Sequence, residues 1–144
     1  MAKASFYQNY YELIAYYQYI EMHLRGICAA LLADEEKGWL DQLDDIETDP
    51  LGKTIQKIQA LQTTCKTTLF TQDDFDALDL LRHSRNYWVH QCFIGDKPVI
   101  IRNDGTVKRA EHAAKLIKDL DAAITWDKKI TEIERPLLPN HVPL

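Results

Sequence analysis

The sequence predicts an all-α fold, an antiparallel four- to five-helix bundle with a small β-hairpin insertion between the last two main helices. Three observations predict it. Phe6, Tyr10, Leu13, Tyr17, Ile20, Leu24, Ile27 and Leu31 recur at alternating spacings of four and three, an apolar stripe about seven helical turns long. Shorter stripes at the same period follow Pro50, Thr71 and Ala110, and short polar connections between them favour antiparallel neighbours. The chain of 144 residues carries no repeat or low-complexity tract, so it reads as one domain over 1–144, with 136–144 as a surface tail.

After the first helix, ADEEKGWLDQLDDIETDP is polar and acidic, and is expected to hold at most a short helix that docks Trp39 and Leu40. Asp49 and Pro50 then make a helix start, with Asp49 as N-cap and Pro50 at the first helical position. Leu51, Ile55, Ile58, Leu61 and Cys65 mark the face of this helix, which runs to about Lys66. Thr71 with Asp74 resembles a capping box, and the acidic run Asp73, Asp74, Asp76 suits a helix N-terminus, so the next helix starts near Gln72 and ends near Phe93. KPVIIRNDGTVKR places apolar residues either side of Asn-Asp-Gly, the pattern of a short hairpin. From about Ala110 to Glu134 the helical face is Ala113, Ile117, Leu120 and Ile124, interrupted by a polar break around Asp127 to Lys129 and stopped by Pro136 and Pro139.

The net charge of −5 denies the chain the overall basic footprint of a protein that coats nucleic acid, so any such role needs a local patch. The N-terminal apolar region is broken by Gln8, Asn9, Glu12, Gln18 and Glu21, which suits neither a signal peptide nor a membrane span; the expected address is cytoplasmic. Cys28, Cys65 and Cys92 are odd in number and lack zinc-ligand spacing, so they read as reduced core thiols.

The local patch lies on the helix that starts near Gln72. Leu78, Leu81, Arg85, Val89 and Cys92 fall on one face, with Phe75 and Trp88 at its edges, and Arg85 stands where a leucine belongs. A guanidinium there cannot shed its proton, so it must meet a carboxylate, carbonyl groups or a phosphate. Glu21, beside the stripe of the first helix, is the carboxylate best placed for it. Asp79, His83, Asn86 and His90 form a second, wholly polar stripe, either a solvated face or a lined groove. His83 and His90 are too far apart along one helix to share a metal ion. Arg85 and His90 are five apart and diverge by ~140° on an α-helix, so a shared target needs a second helix, as a two-fold dimer would supply.

RNYWVH, within LLRHSRNYWVHQCF, resembles the signature of the HEPN superfamily: arginine, a polar residue, and a histidine after four intervening residues. The resemblance implies a helical bundle that dimerises on itself, with the paired motifs in one cleft. It also implies a metal-independent endoribonuclease without cofactor, of the kind found in toxin–antitoxin and phage-defence systems. Carried onto this chain, Arg85 and His90 are the catalytic pair, Asn86 and Glu21 the supporting residues, and Arg82 and His83 contacts for the RNA backbone. A cognate antitoxin of nucleotidyltransferase type is an implied partner. Relatives silenced by tyrosine modification carry that tyrosine two residues after the histidine, where this chain has Cys92, so that control is not implied.

Two functional readings follow. In one, a ribose 2′-hydroxyl attacks the adjacent phosphorus, with His90 in proton transfer and Arg85 on the non-bridging oxygens. In the other, a non-catalytic dimeric module binds nucleotide, RNA or a partner protein, a role that the tyrosine-rich first helix also suits. Without either, Arg85 and Glu21 are simply a buried pair between two helices.

Overall fold

The N-terminal stripe becomes α1, Phe6–Leu32, in a computed structural model that describes residues 5–139. Ser5 caps it: its hydroxyl accepts from the Gln8 N–H, and the Gln8 side chain accepts from the Ser5 N–H. Phe6, Leu13, Tyr17, Ile20, Leu24 and Ile27 are buried as the spacing requires, and α1 packs against three other helices.

The first of these, α2, is the short helix Trp39–Ile46. Trp39 docks, its indole N–H donating to the Gly26 carbonyl at 2.9 Å, but Leu40 is 59% exposed, contrary to expectation. Adjacent residues point ~100° apart, so a single-sided helix can seat only one of them, and Ile46 takes the second buried position. The next helix, α3, spans Leu51–Thr64 and starts one residue later than expected, with Pro50 at the N-cap position. Asp49 does not cap it, because its carboxylate is turned to Lys53 and Lys57 at 3.3 and 2.6 Å.

Helix α4, Gln72–Asn86, begins with the capping box of Thr71 and Asp74 and runs without a break into a π-helical turn, Tyr87–Gln91. The last helix, α5, is continuous over Ala110–Glu134 despite the polar break, and a 3₁₀ turn, Arg135–Leu137, follows it. Its buried face is His112, Leu116, Leu120, Ala123, Ile130 and Glu134, whereas Ile117 and Ile124 are exposed. The expected face was therefore rotated by one residue, because polar side chains at both ends hide the true stripe. Leu137 packs on the core, so a tail starting at 136 is not observed; residues 140–144 lie outside the described residues.

The expected β-hairpin is also corrected. Among the described residues no strand forms, and Ile101 and Val107 make one isolated antiparallel bridge. The turn itself is present, with Gly105 at φ 85° and the Asp104 carboxylate accepting from Thr106. The arms exchange two backbone bonds, from Arg102 N–H to the Thr106 carbonyl at 2.7 Å and from Lys108 N–H to the Ile100 carbonyl at 2.8 Å, and before them the Val99 N–H turns away to the Cys92 carbonyl at 2.7 Å, so the pairing stays too short for a strand. Cys28 and Cys92 are buried thiols, while Cys65 is exposed at the end of α3. No helix of the described residues is long and apolar enough to cross a membrane.

Candidate functional site

Arg85 sits at the last turn of α4, facing α1. Its Nε donates to Glu21 Oε1 at 2.8 Å and its Nη1 to Asn86 Oδ1 at 3.2 Å. Glu21 also faces Arg25 at 3.6 Å, one turn along α1, and Arg25 Nη2 donates to the Asp49 carbonyl at 2.8 Å. A chain of polar contacts thus runs from α3 through α1 to the motif. Arg25 had no signal of its own in the sequence beyond its i, i+4 spacing from Glu21, and Asp49 was read there only as a helix cap.

The pairing resolves the question raised by an arginine on an apolar stripe: its charge is met within the chain. It is not sealed. The Arg85 side chain is 26% exposed against 12% for Glu21, and no hydrogen bond from its Nη2 occurs among the described residues. Glu21 and Asn86 therefore fix the plane of the guanidinium through Nε and Nη1 and leave Nη2 as the nitrogen free to meet a further acceptor.

The π turn follows at once. Cys92 N–H donates to the Tyr87 carbonyl at 2.8 Å, an i→i+5 bond that withdraws the partner the Trp88 carbonyl would have in an α-helix. Tyr10 Oη at 3.0 Å and Cys92 Sγ at 3.3 Å donate to that carbonyl instead. The Trp88 ring is buried against Phe6, Tyr10 and Tyr87, and its indole N–H donates to Asp119 Oδ2 at 2.7 Å. Trp88 takes the core position, and Val89, expected on the buried face, is 39% exposed. A turn that closes i→i+5 brings residues five apart toward one side, so it narrows the ~140° divergence between Arg85 and His90 that a regular α-helix would impose. His90 itself is exposed.

The remaining candidates are placed differently. Arg82 and His83 both turn back onto Asp79: Arg82 Nη2 lies 2.9 Å from its carboxylate, and His83 Nδ1 lies 3.0 Å from its carbonyl. The stem of Arg82 lies against Gly52, where a Cβ would come within 3.1 Å of it. His83 is not brought to Arg85. Of the expected polar stripe, Asp79, His83 and His90 are exposed, while Asn86 is half-buried and turned to Arg85.

Around the motif, Tyr7, Tyr11, Val89, Phe93 and Ile94 are exposed, and Tyr10 joins them through ring contacts with Tyr11 and Phe93 at 5.9 and 5.6 Å. Cys92 is buried, and burial pushes its thiol pKa up. A second polar cluster lies elsewhere between α1 and α5: His23 Nδ1 meets Glu134 at 2.7 Å, and its Nε2 is 3.9 Å from Asp127. No family model, no curated protein and no solved structure matches this chain.

Proposed function

We propose that the chain is an antiparallel helix bundle of the HEPN type. In this reading it cuts RNA without a metal ion, as a homodimer whose paired motifs share one cleft, in a toxin–antitoxin or phage-defence setting. The observation that supports this reading is the arrangement of Arg85: paired with Glu21 and Asn86, partly exposed, and followed by a π turn that carries the exposed His90. Turns of this kind are rare and concentrate at functional sites.

The chemistry is an internal transesterification. A histidine takes the proton of a ribose 2′-hydroxyl, the 2′-oxygen attacks the adjacent phosphorus, and the 5′-oxygen leaves with a proton from a second histidine. The products are a 2′,3′-cyclic phosphate and a 5′-hydroxyl. Arg85 neutralises charge on the non-bridging oxygens as it builds. One chain supplies one His90, and the two-fold mate supplies the other. The exposed apolar group of Tyr11, Val89, Phe93 and Ile94 beside the motif is the surface that suits such a mate, and because these side chains are already about half covered, burying the rest gives about 1 kcal/mol each. Arg82 and His83, on the same helix, would leave Asp79 for backbone phosphates.

The same apolar surface supports the second reading, a dimeric module that binds RNA, nucleotide or a partner protein without turnover. Substrate chemistry separates the two. Wild-type protein is expected to cut a single-stranded RNA and to leave the same strand intact where the ribose at the cut carries hydrogen in place of its 2′-hydroxyl. Cutting of the deoxy strand defeats the mechanism, and binding without cutting of either strand favours the module.

A further inference from the structure

Glu21 is a carboxylate shared by two arginines. Its Oε1 lies 2.8 Å from Arg85 Nε, and its Oε2 lies 3.6 Å from Arg25 Nη2, one turn along α1. An arginine and a carboxylate left to themselves frequently close as a fork, with two nitrogens against both oxygens. Here the fork on Arg85 is not closed. Arg85 Nη2 makes no hydrogen bond among the described residues, and the second oxygen of Glu21 is paired with the other cation.

Arg25 is itself fixed from outside the motif. Its Nη2 donates to the Asp49 carbonyl at 2.8 Å, just before α3, and the Asp49 carboxylate is held in turn by Lys53 and Lys57. Its Nε is buried with no partner. An unmet buried donor is costly, and at i, i+4 spacing Arg25 could meet that nitrogen by turning its own fork onto Glu21. The Asp49 carbonyl holds it short of that, so the place of its charge is set by the chain before α3.

On the reading that Arg85 meets the RNA phosphate, we propose that Arg25 is a positioning residue for the motif. Its charge holds Glu21 Oε2, which keeps Glu21 on Arg85 Nε and leaves Arg85 Nη2 free for a phosphate oxygen. Without Arg25, Oε2 is released to Arg85, and the fork closes over the nitrogen that the phosphate needs. Arg25 itself touches no substrate and acts through Glu21.

The test compares wild type, Arg25→Met, Arg25→Lys, Glu21→Gln and Glu21→Gln/Arg25→Met. Each intact protein is followed in single-turnover RNA cleavage and, by nitrogen NMR, in hydrogen exchange of the Arg85 Nη2 protons. Arg25→Met is expected to cut about tenfold more slowly, the effect of one lost hydrogen bond to a charged group. It should also exchange the Nη2 protons more slowly, because a closed fork protects them, whereas a variant that had merely loosened would exchange them faster. Arg25→Lys keeps a cation at Oε2 and should recover part of the rate. In the Glu21→Gln background Arg25→Met should change neither readout, since a glutamine carries one acceptor oxygen and cannot close the fork. Unchanged or faster Nη2 exchange in Arg25→Met overturns the proposal. So does cleavage at the wild-type rate by that variant, or an equal effect of Arg25→Met with and without Glu21→Gln. Failure of wild type to cut RNA defeats the cleavage reading alone, and slowed or unslowed Nη2 exchange then supports or overturns the hold of Arg25 on Glu21 by itself.

Discussion

Arg85 Nε donates to Glu21 Oε1 at 2.8 Å, which ties the arginine of the motif to the middle of α1. Its removal leaves the carboxylate with Arg25 alone, at 3.6 Å. Breaking a fully buried pair costs about 3–5 kcal/mol, and here both partners keep some solvent and one cation remains. Arg85→Ala is therefore expected to lose about 2 kcal/mol in urea denaturation. The double variant Glu21→Gln/Arg85→Ala should recover much of that loss. A shift in the single variant under about 0.5 kcal/mol, the size of a solvated surface pair, would contradict the pairing.

Tyr10 reaches the π turn from the opposite helix. Its hydroxyl donates to the Trp88 carbonyl at 3.0 Å, meeting an acceptor that lost its α-helical partner. Tyr10→Phe keeps the ring contacts and removes only the hydroxyl. The expected loss is about 1 kcal/mol, together with faster hydrogen exchange over Tyr87–Gln91. Unchanged exchange there means that the turn does not depend on Tyr10.

His23 makes stability depend on pH. Its hydrogen bond to Glu134 is the main cause that raises its pKa, with Asp127 adding to it and burial opposing. A raised imidazole pKa contributes stability that is fully present below the unfolded value of about 6.5 and is lost as pH rises through the folded value. Tm is thus expected to fall as pH climbs from about 6.5 upward. His23→Gln should flatten that slope, and a slope identical in the two proteins would assign it to another group.

Gly26 leaves room for the same cluster. A Cβ at this position would come within 1.9 Å of Glu134 Oε2. Gly26→Ala must push the Glu134 carboxylate off His23, and is expected to lose about 1–3 kcal/mol with the pH slope weakened. Alanine is the better helix former, so a more stable variant would show that Glu134 moves aside freely.

How much of this was legible in the sequence follows from what each residue has to do. The α1 stripe and the Thr71 capping box are local patterns of apolar period and side-chain reach, and both read directly. Glu21 as partner to Arg85 also followed, because a permanently charged group on a core face needs an opposite charge nearby. The face of α5 did not, since Asp127 and Glu134 lie on it for the sake of His23, a partner about a hundred residues away. The π turn left no pattern either: the contacts around it, Tyr10 to the Trp88 carbonyl and the Trp88 indole to Asp119, join residues far apart in the chain. The Asn-Asp-Gly turn was read correctly in place, and its arms pair next to it, but the first arm turns away at Val99 to the Cys92 carbonyl, which no hairpin pattern encodes.

In the proposed function Arg85 and His90 act together on RNA in a shared cleft. It is tested most directly by single-turnover cleavage of one RNA by wild type and His90→Ala, with sedimentation of both. His90 is exposed and makes no hydrogen bond or ion pair among the described residues, so the variant should fold and associate as wild type does. Both proteins are expected to sediment as dimers, and cleavage to fall by about a hundredfold or more in the variant, the range for loss of a proton-transfer group. Equal cleavage by the two proteins, or a monomeric wild type that still cuts, would contradict it.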